Sequence, residues 1–142
     1  MKILLRAKRD DEDLNFILSS YLKSYRTAGD NVRMTNEVYF YNFKKVIMKL
    51  LENSLVVMAV DHDDPNHIYG FAIFREDADI PILHYIYVKY TYRKLGVAKK
   101  ILGRIFGSES AVIAISHSNR VVDEIKKRKD CIYDFRYNPF LR

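Results

Sequence analysis

The sequence has almost no cysteine and no long apolar run. Cys131 is the only cysteine among 142 residues, so no disulfide can form within the chain and a reducing compartment is expected. No apolar stretch reaches the roughly 18 residues that a membrane span requires. The first residues, MKILLRAKRDDED, place charges directly after a short apolar patch, which is not the pattern of a signal peptide. We therefore expect a cytoplasmic protein without a membrane partner.

Internal repeats, low-complexity segments and linkers are also missing, so residues 1–142 predict a single domain. Hydrophobic residues make up 49% of the chain, which is enough for a sizeable core. Lysine and arginine total 24 against 18 acidic residues, a net charge of +6. This charge favours an anionic partner, which could be nucleic acid, an acidic protein or a phosphorylated cofactor, and it does not choose among them.

Hydrophobic periodicity predicts an α/β domain with a mixed sheet of about six strands and about four helices. Strands are expected at 2–6, 55–60, 68–75, 82–88, 111–115 and 131–135. Helices are expected from the acidic residues 10–13 to Tyr25, from Thr35 to Leu51, after Gly96 to Phe106, and from Ser118–Asn119 to the basic run 126–129. Residues 27–33 predict a loop. The expected order is strand, two helices, three strands, helix, strand, helix, strand.

A basic turn joins the fourth strand to the third helix. It reads Arg93-Lys94-Leu95-Gly96-Val97-Ala98. A helix N-terminus carries unpaired backbone N–H groups and partial positive charge, and glycine lets a ligand approach the backbone closely. This chemistry predicts a phosphate or diphosphate at residues 93 to 98. An ordinary solvated basic turn is the alternative.

The turn resembles a known signature. Arg93-x-x-Gly96-x-Ala98 after an apolar strand is similar to the acetyl-CoA motif Q/R-x-x-G-x-G/A of the GNAT N-acetyltransferases. The element order, with two helices between the first two strands, is also similar, so the resemblance covers most of the chain. The short chain and the stretch from His84 to Lys89 look most like small phage-encoded members of that family.

The resemblance implies a cofactor site for acetyl-CoA. In such a site the strand ending at Val88 splays from its neighbour, pantetheine lies in the gap against the backbone, and the N–H groups of residues 94 to 98 hold the pyrophosphate. Asn119 matches an asparagine that begins the next helix and contacts the cofactor arm. The cofactor-binding residues implied are Ile86, Val88, Arg93, Lys94, Leu95, Gly96, Val97, Ala98 and Asn119.

The resemblance also implies the reaction, which is direct transfer of an acetyl group to a primary amine on a small molecule or a protein. Seven residues after the asparagine the family often has a tyrosine that protonates the thiolate, but this chain has Lys126. Tyr133 is a candidate substitute. His84, on the strand beside the presumed thioester, is a candidate base that titrates near neutrality. We expect it to share a face with Ile82, Ile86 and Val88, and a structural histidine is the alternative.

Two further possibilities remain open from the sequence. Lys126 in the tyrosine position supports a catalytically inactive GNAT-fold module that binds nucleic acid or a protein, or that is structural. The segment 61–67 contains metal-ligand residue types, but they crowd into a turn without ligand spacing, so we expect no metal site. The sequence does not set the oligomeric state.

Overall fold

The protein forms one six-stranded mixed sheet with two helices on each face. The computed structural model describes residues 1–142 apart from the side chain of Asp30. The strands are β1 (Ile3–Ala7), β2 (Leu55–Asp61), β3 (Ile68–Arg75), β4 (Ile82–Val88), β5 (Ala111–Ile115) and β6 (Tyr133–Tyr137), and they lie in that order across the sheet. The helices are α1 (Asp11–Tyr25), α2 (Asn36–Glu52), α3 (Val97–Phe106) and α4 (Arg120–Lys126).

The element order agrees with the prediction from periodicity, as do the six strands and four helices. β1 to β4 pair antiparallel, whereas β4–β5 and β5–β6 are parallel, because α3 and α4 carry the chain back across the sheet. Two details differ from the prediction. The segment Gly29–Arg33 is a short 3-10 helix, and β6 begins at Tyr133, two residues later than expected.

The two faces of the sheet bury separate apolar clusters. The cluster under α1 and α2 is largely aromatic and contains Tyr21, Tyr25, Tyr39, Phe71 and Tyr85. The cluster under α3 and α4 is largely aliphatic and contains Leu83, Ile86, Val88, Ile101, Leu102 and Ile113. β3 and β4, at the centre of the sheet, are buried on both faces along almost their whole length. Their position gives the functional site a rigid support.

One extra residue in β4 changes the geometry of the whole sheet. Tyr85 pairs with Ile73 of β3, but the next pair joins Leu83 to Phe74, so His84 has no partner across the ladder. Such a β-bulge bends its strand and increases the local twist. β4 pairs with β5 only through Ile82 and Leu83, because Ile115, the partner of Leu83, is the last residue of β5. From His84 to Val88, β4 therefore has no β5 partner, and this unpaired stretch is where the resemblance implies a gap.

The β2–β3 turn has the local hydrogen bonds that turn chemistry predicts. The Asp61 carboxylate accepts from the Asp63 N–H at 3.0 Å, and the Asp64 carboxylate accepts from the Asn66 N–H at 3.2 Å. Within the described residues, no group of three or more His, Cys, Asp or Glu side chains could hold a metal ion. In the same part of the chain, no helix combines the length and the apolarity needed to cross a membrane.

A buried ion pair joins α1 to β1. The Asp13 carboxylate, in the first turn of α1, accepts from the Arg6 guanidinium at 2.6 and 2.9 Å and from the Arg9 N–H at 3.0 Å. The Arg6 hydrogen bonds lower the pKa of Asp13, against the opposing effect of burial. Because the folded state holds the carboxylate below its ordinary pKa, this stabilisation exists above about pH 4 and is lost as the pH falls further.

We expect Asp13→Asn to lower the free energy of unfolding by about 3 kcal/mol at pH 7, because it leaves Arg6 buried without its counter-charge. Urea denaturation measures the change. The matched control is Asp11→Asn, which removes an exposed acid from the same first turn and should cost less than about 1 kcal/mol. The difference between wild type and Asp13→Asn should shrink below pH 4. Equal losses in the two variants would show that the ion pair does not stabilise the fold.

Candidate functional site

The turn before α3 has a backbone shaped to receive an anion. Among the described residues, Lys94 is the only one besides glycine with positive φ, at 64°, and Gly96 follows at 86°. A left-handed lysine costs about 1–2 kcal/mol. Gly96 is the N-cap of α3 and offers no side-chain cap, so the first N–H groups of the helix have no side-chain partner. Alternating conformations of this kind turn successive N–H groups toward one concave point.

Six of the nine predicted cofactor residues line a narrow cleft between this turn and α4, and Ile86, Leu95 and Asn119 do not. The cleft encloses about 30 Å³. From the predicted set it is lined by Val88, Arg93, Lys94, Gly96, Val97 and Ala98. Two charged residues of the α4 side, Glu124 and Arg128, complete it. Leu95 is 56% exposed and does not line the cleft. Lys94 and the helix N-terminus favour an anion here, whereas Glu124 opposes one.

Arg93 holds the end of β4 in place. Its Nε donates to the carbonyl of Val88 at 2.9 Å, and its guanidinium lies 6.0 Å from the Tyr87 ring and 5.7 Å from the Tyr90 ring. Arg93 therefore shapes the turn through Nε. Any contact with a phosphate falls to its two terminal nitrogens.

Asn119 links the start of α4 to the part of β4 that has no β5 partner. Its Oδ1 caps α4 by accepting from the N–H groups of Val121 and Val122, and its Nδ2 donates to the carbonyl of Ile86 at 2.8 Å. The carbonyl of Ile86 thus points into the gap. In an antiparallel strand the N–H of the same residue points the same way. The resemblance predicted Ile86 and Asn119 as cofactor residues, and both lie at the gap.

The bulge turns His84 away from the face that strand alternation predicts. Leu83 joins Ile86 and Val88 under α3, whereas His84 lines a cavity together with Val46 of α2. The expectation that His84 faces with Ile82, Ile86 and Val88 is therefore wrong, because the extra residue shifts the alternation by one. Burial, reinforced by the charge of Arg75, lowers the pKa of His84 to about 4, so the ring is neutral at pH 7.

His84 belongs to a buried polar chain that the sequence analysis did not find. Its Nδ1 lies 2.6 Å from Ser116 Oγ, which lies 2.9 Å from Nδ1 of His117. A single hydroxyl donates to only one of the two rings, so the other ring must donate to the hydroxyl. The signal was the polar run Ser116-His117 directly after the apolar strand β5. These residues follow the strand at the point where the gap opens.

His117 is fully buried against the aromatic rings of α1. Its ring packs edge-on against Tyr21 and Tyr25, and its Nε2 has no hydrogen-bond partner among the described residues. Burial, with the charge of Arg142 second, lowers the pKa of His117 to about 3. The imidazoles of His84 and His117 are therefore both neutral inside the core.

The structure does not bring Tyr133 to the gap. Its hydroxyl lies within hydrogen-bonding distance of two carbonyls at the C-terminal end of α3, that of Leu102 at 3.3 Å and the nearer one of Gly107, and it shares its one proton between them. Tyr133 pairs with Ala111 at the start of β5, whereas the gap lies beyond the end of that strand. The expectation that Tyr133 substitutes for the missing acid lacks support from this geometry. Lys126 is the exposed last residue of α4.

The buried rings of His84 and His117 predict a fold that loses stability at acid pH. The unfolded rings bind protons near pH 6.5, whereas the folded rings bind them only near pH 4 and 3. Between these values the unfolded state holds more protons, so stability falls as the pH falls. We expect the free energy of unfolding to fall by about 3 kcal/mol between pH 7 and 4. This is about half of the value that the full pKa shifts of both rings would give.

Urea midpoints measured from pH 7 to 4 test this expectation. His117→Phe should reduce the loss by about half, because one buried imidazole no longer has to remain neutral. The control is His62→Phe, at an exposed position in the β2–β3 turn, which should leave the pH dependence unchanged. A wild-type protein that is equally stable at pH 7 and 4.5 would contradict the prediction that His84 and His117 are held neutral in the folded state.

Comparisons with known proteins place this geometry among acetyltransferase folds. No model of a known family and no curated protein matches the chain. A proposed acetyltransferase from Pyrococcus furiosus superposes with a TM-score of 0.59 at 15% identity, over 90% of this chain and 92% of that one. The PaiA N-acetyltransferase of Thermoplasma acidophilum, in complex with coenzyme A, superposes with a TM-score of 0.51 at 19% identity, over 73% of this chain and 69% of that one.

A GNAT-family acetyltransferase from Staphylococcus aureus Mu50 is also similar, with a TM-score of 0.49 and 17% identity over 73% of this chain. That match spans 63% of the Staphylococcus chain, which is less than two thirds of its length. None of these three structures comes from a phage, so the narrower likeness to phage-encoded members has no support. The chain thus shares its overall fold with the Pyrococcus and Thermoplasma acetyltransferase structures.

Proposed function

We propose that the protein is an acetyl-CoA-dependent N-acetyltransferase that transfers the acetyl group to a primary amine by direct attack. The observation that carries the proposal is the gap between β4 and β5, which has the anion-binding turn of α3 at its mouth. An open sheet with a helix N-terminus at one end of the opening suits a long ligand that has a diphosphate at that end. The coenzyme A complex of the Thermoplasma protein supports the choice of ligand.

The residues of the cleft fit such a cofactor. The N–H groups of residues 94 to 98 and the Lys94 ammonium would hold the diphosphate, and the backbone of Ile86 and Val88 would bind the pantetheine arm along β4. Acetyl-CoA, when bound, supplies the acetyl group as a thioester. Gly96 suits the turn because its φ of 86° is in the left-handed region that favours glycine, and a Cβ built there would meet no atom within 4 Å.

His84 would accept the proton of the attacking amine. Its Nδ1 is bonded to Ser116, which fixes the ring and leaves Nε2 for the substrate. As the amine nitrogen bonds to the acetyl carbon and the carbon–sulfur bond breaks, Nε2 takes the proton and the thiolate is protonated by solvent. An imidazole with a pKa of about 4 is a weak base, so the amine has to arrive neutral.

In a second candidate function, the protein has the same fold but does not catalyse acetyl transfer. Lys126 and the remote hydroxyl of Tyr133 favour it, because neither is placed to protonate the thiolate. Such a protein would act as a basic module for nucleic acid or a protein partner. It would bind nucleic acid in a strongly salt-dependent way and release no thiol from acetyl-CoA. An N-acetyltransferase would release one thiol for each acetylated amine.

A negative charge placed at the turn should weaken cofactor binding. Asn and Asp have the same shape and both tolerate the left-handed backbone of Gly96, so Gly96→Asn and Gly96→Asp differ only in charge. We expect Gly96→Asp to bind acetyl-CoA about 10 to 100-fold more weakly than Gly96→Asn. This corresponds to about 1.4–2.7 kcal/mol, which lies within the roughly 1–4 kcal/mol of repulsion expected between unit charges 4 Å apart. Isothermal titration of the two folded variants and the wild type measures the difference.

Equal affinities in the two variants would place the diphosphate elsewhere. No binding by the wild type at millimolar acetyl-CoA would contradict the proposed function as a whole. A melting curve of each variant without ligand checks that the backbone has tolerated the new side chain.

Removal of the proposed base should slow turnover without weakening cofactor binding. His84→Asn keeps an amide that can bond to Ser116 but removes Nε2. We expect kcat/KM to fall by about 10²-fold, with acetyl-CoA affinity close to wild type. From pH 6 to 9 the rate of both proteins should follow the ionisation of the amine, because His84 stays neutral throughout that range.

His117→Asn is the matched control, because it changes the other imidazole of the same chain, which does not line the cavity. Thiol release is measured with a panel of polyamines, amino acids and peptides. Wild-type turnover in His84→Asn would make His84 a structural residue.

A further inference from the structure

A second cavity lies at the end of the gap that is remote from α3. It encloses about 260 Å³ between the C-terminal end of α2 and the start of β4, and His84 forms part of its wall. The α3 cleft borders Val88, four residues further along β4. At about 3.3 Å per residue, the two cavities contact points on the strand about 13 Å apart. Val88 belongs to the face under α3 and His84 to the face under α2, so a cofactor held in the α3 cleft would have to pass beside the unpaired part of β4 to bring its far end to the second cavity.

The charges around this cavity are all positive. Lys49, Arg75 and Arg142 line it, and no Asp or Glu does. Arg75 is neutralised by Asp77, with two hydrogen bonds of 3.0 Å. Arg142 donates instead to two neutral acceptors, the carbonyl of Ser116 at 3.0 Å and the hydroxyl of Tyr25 at 2.9 Å. Lys49 forms no ion pair within the described residues. Neither Lys49 nor Arg142 is therefore paired with an Asp or Glu side chain among the described residues.

An unpartnered hydroxyl also lines the cavity. Ser54 Oγ is buried and has no hydrogen-bond partner among the described residues. A buried polar atom without a partner carries a cost of about 1–3 kcal/mol unless a ligand or a water satisfies it. The cavity thus combines unbalanced positive charge, an open hydrogen-bonding position and an imidazole in its wall.

We infer that this cavity binds the acceptor, and that the acceptor is a small amine that carries a carboxylate, such as a free amino acid. The inference rests on the proposed acetyltransferase function. Lys49 and Arg142 attract the carboxylate, while the amine lies toward Nε2 of His84 at the bulge. The volume is near the lower end of the roughly 300–1,000 Å³ found for ligand pockets, which suits a small molecule better than a protein chain.

The test compares amino acids with their amides, which keep the amine and lose the negative charge. Each pair is assayed for thiol release with acetyl-CoA and, separately, for direct binding by calorimetry without acetyl-CoA. We expect at least one free acid to bind and to be turned over, with a kcat/KM at least tenfold above that of its amide. Because an amide nitrogen is not acetylated under these conditions, one amine per molecule reacts in both members of a pair.

Lys49→Glu tests the residue that sets the preference. It should raise KM for the preferred amino acid at least tenfold and weaken its direct binding by a similar factor, with little change in kcat. Lys44→Glu is the control, because it makes the same charge change on α2 at an exposed position outside the cavity. Both variants should bind acetyl-CoA like the wild type.

The outcomes separate the inference from the proposed function. Acetyl-CoA binding with equal or better turnover of the amides overturns the substrate class and leaves the acetyltransferase function. Amino-acid binding that depends on Lys49, without any acetyl-CoA binding, retains the cavity as a carboxylate site and overturns the proposed function. Absence of binding and turnover for every amino acid, or unchanged constants in Lys49→Glu, overturns the inference.

Discussion

The end of pairing between β4 and β5 after Leu83 is the feature on which the candidate site depends. β5 ends at Ile115, the partner of Leu83, and the next residue of β4, His84, is a bulge that has no partner on β3. A bulge of this kind bends its strand and increases the local twist. It also places the imidazole on the face of α2, while the turn before α3 follows the other end of β4. A titratable group and a basic turn thus lie at the two ends of the same unpaired stretch of β4.

Much of the fold follows from the sequence, and the exceptions have physical causes. Apolar periodicity and caps such as Thr35 locate nearly all the elements, because burial and helix capping are local properties. The bulge leaves no mark in the apolar run 82–88, so counting alternate residues assigns His84 to the wrong face. The position of Tyr133 depends on how β6 aligns with β5, and sequence distance carries no information about that alignment. Ser116 and His117 become recognisable only when the chain places them at the opening.

The neutral polar chain inside the core is a compromise between stability and chemistry. Two imidazoles and a hydroxyl replace apolar packing at the centre of the protein, and Nε2 of His117 is left without a partner. The surrounding aromatic side chains compensate in part, with Tyr21 stacked on Tyr85 at 4.0 Å and Tyr25 edge-on to both Tyr21 and His117. Proteins commonly accept such a local loss of stability at functional sites and offset it through the neighbouring packing.

The hydrogen bond from Asn119 Nδ2 to the carbonyl of Ile86 occupies a backbone group that a ligand lying along β4 would use. Such a ligand would compete with Asn119 for this carbonyl. Where the bond has to open before the ligand binds, the observed affinity equals the intrinsic affinity multiplied by the fraction of molecules in which the bond is open.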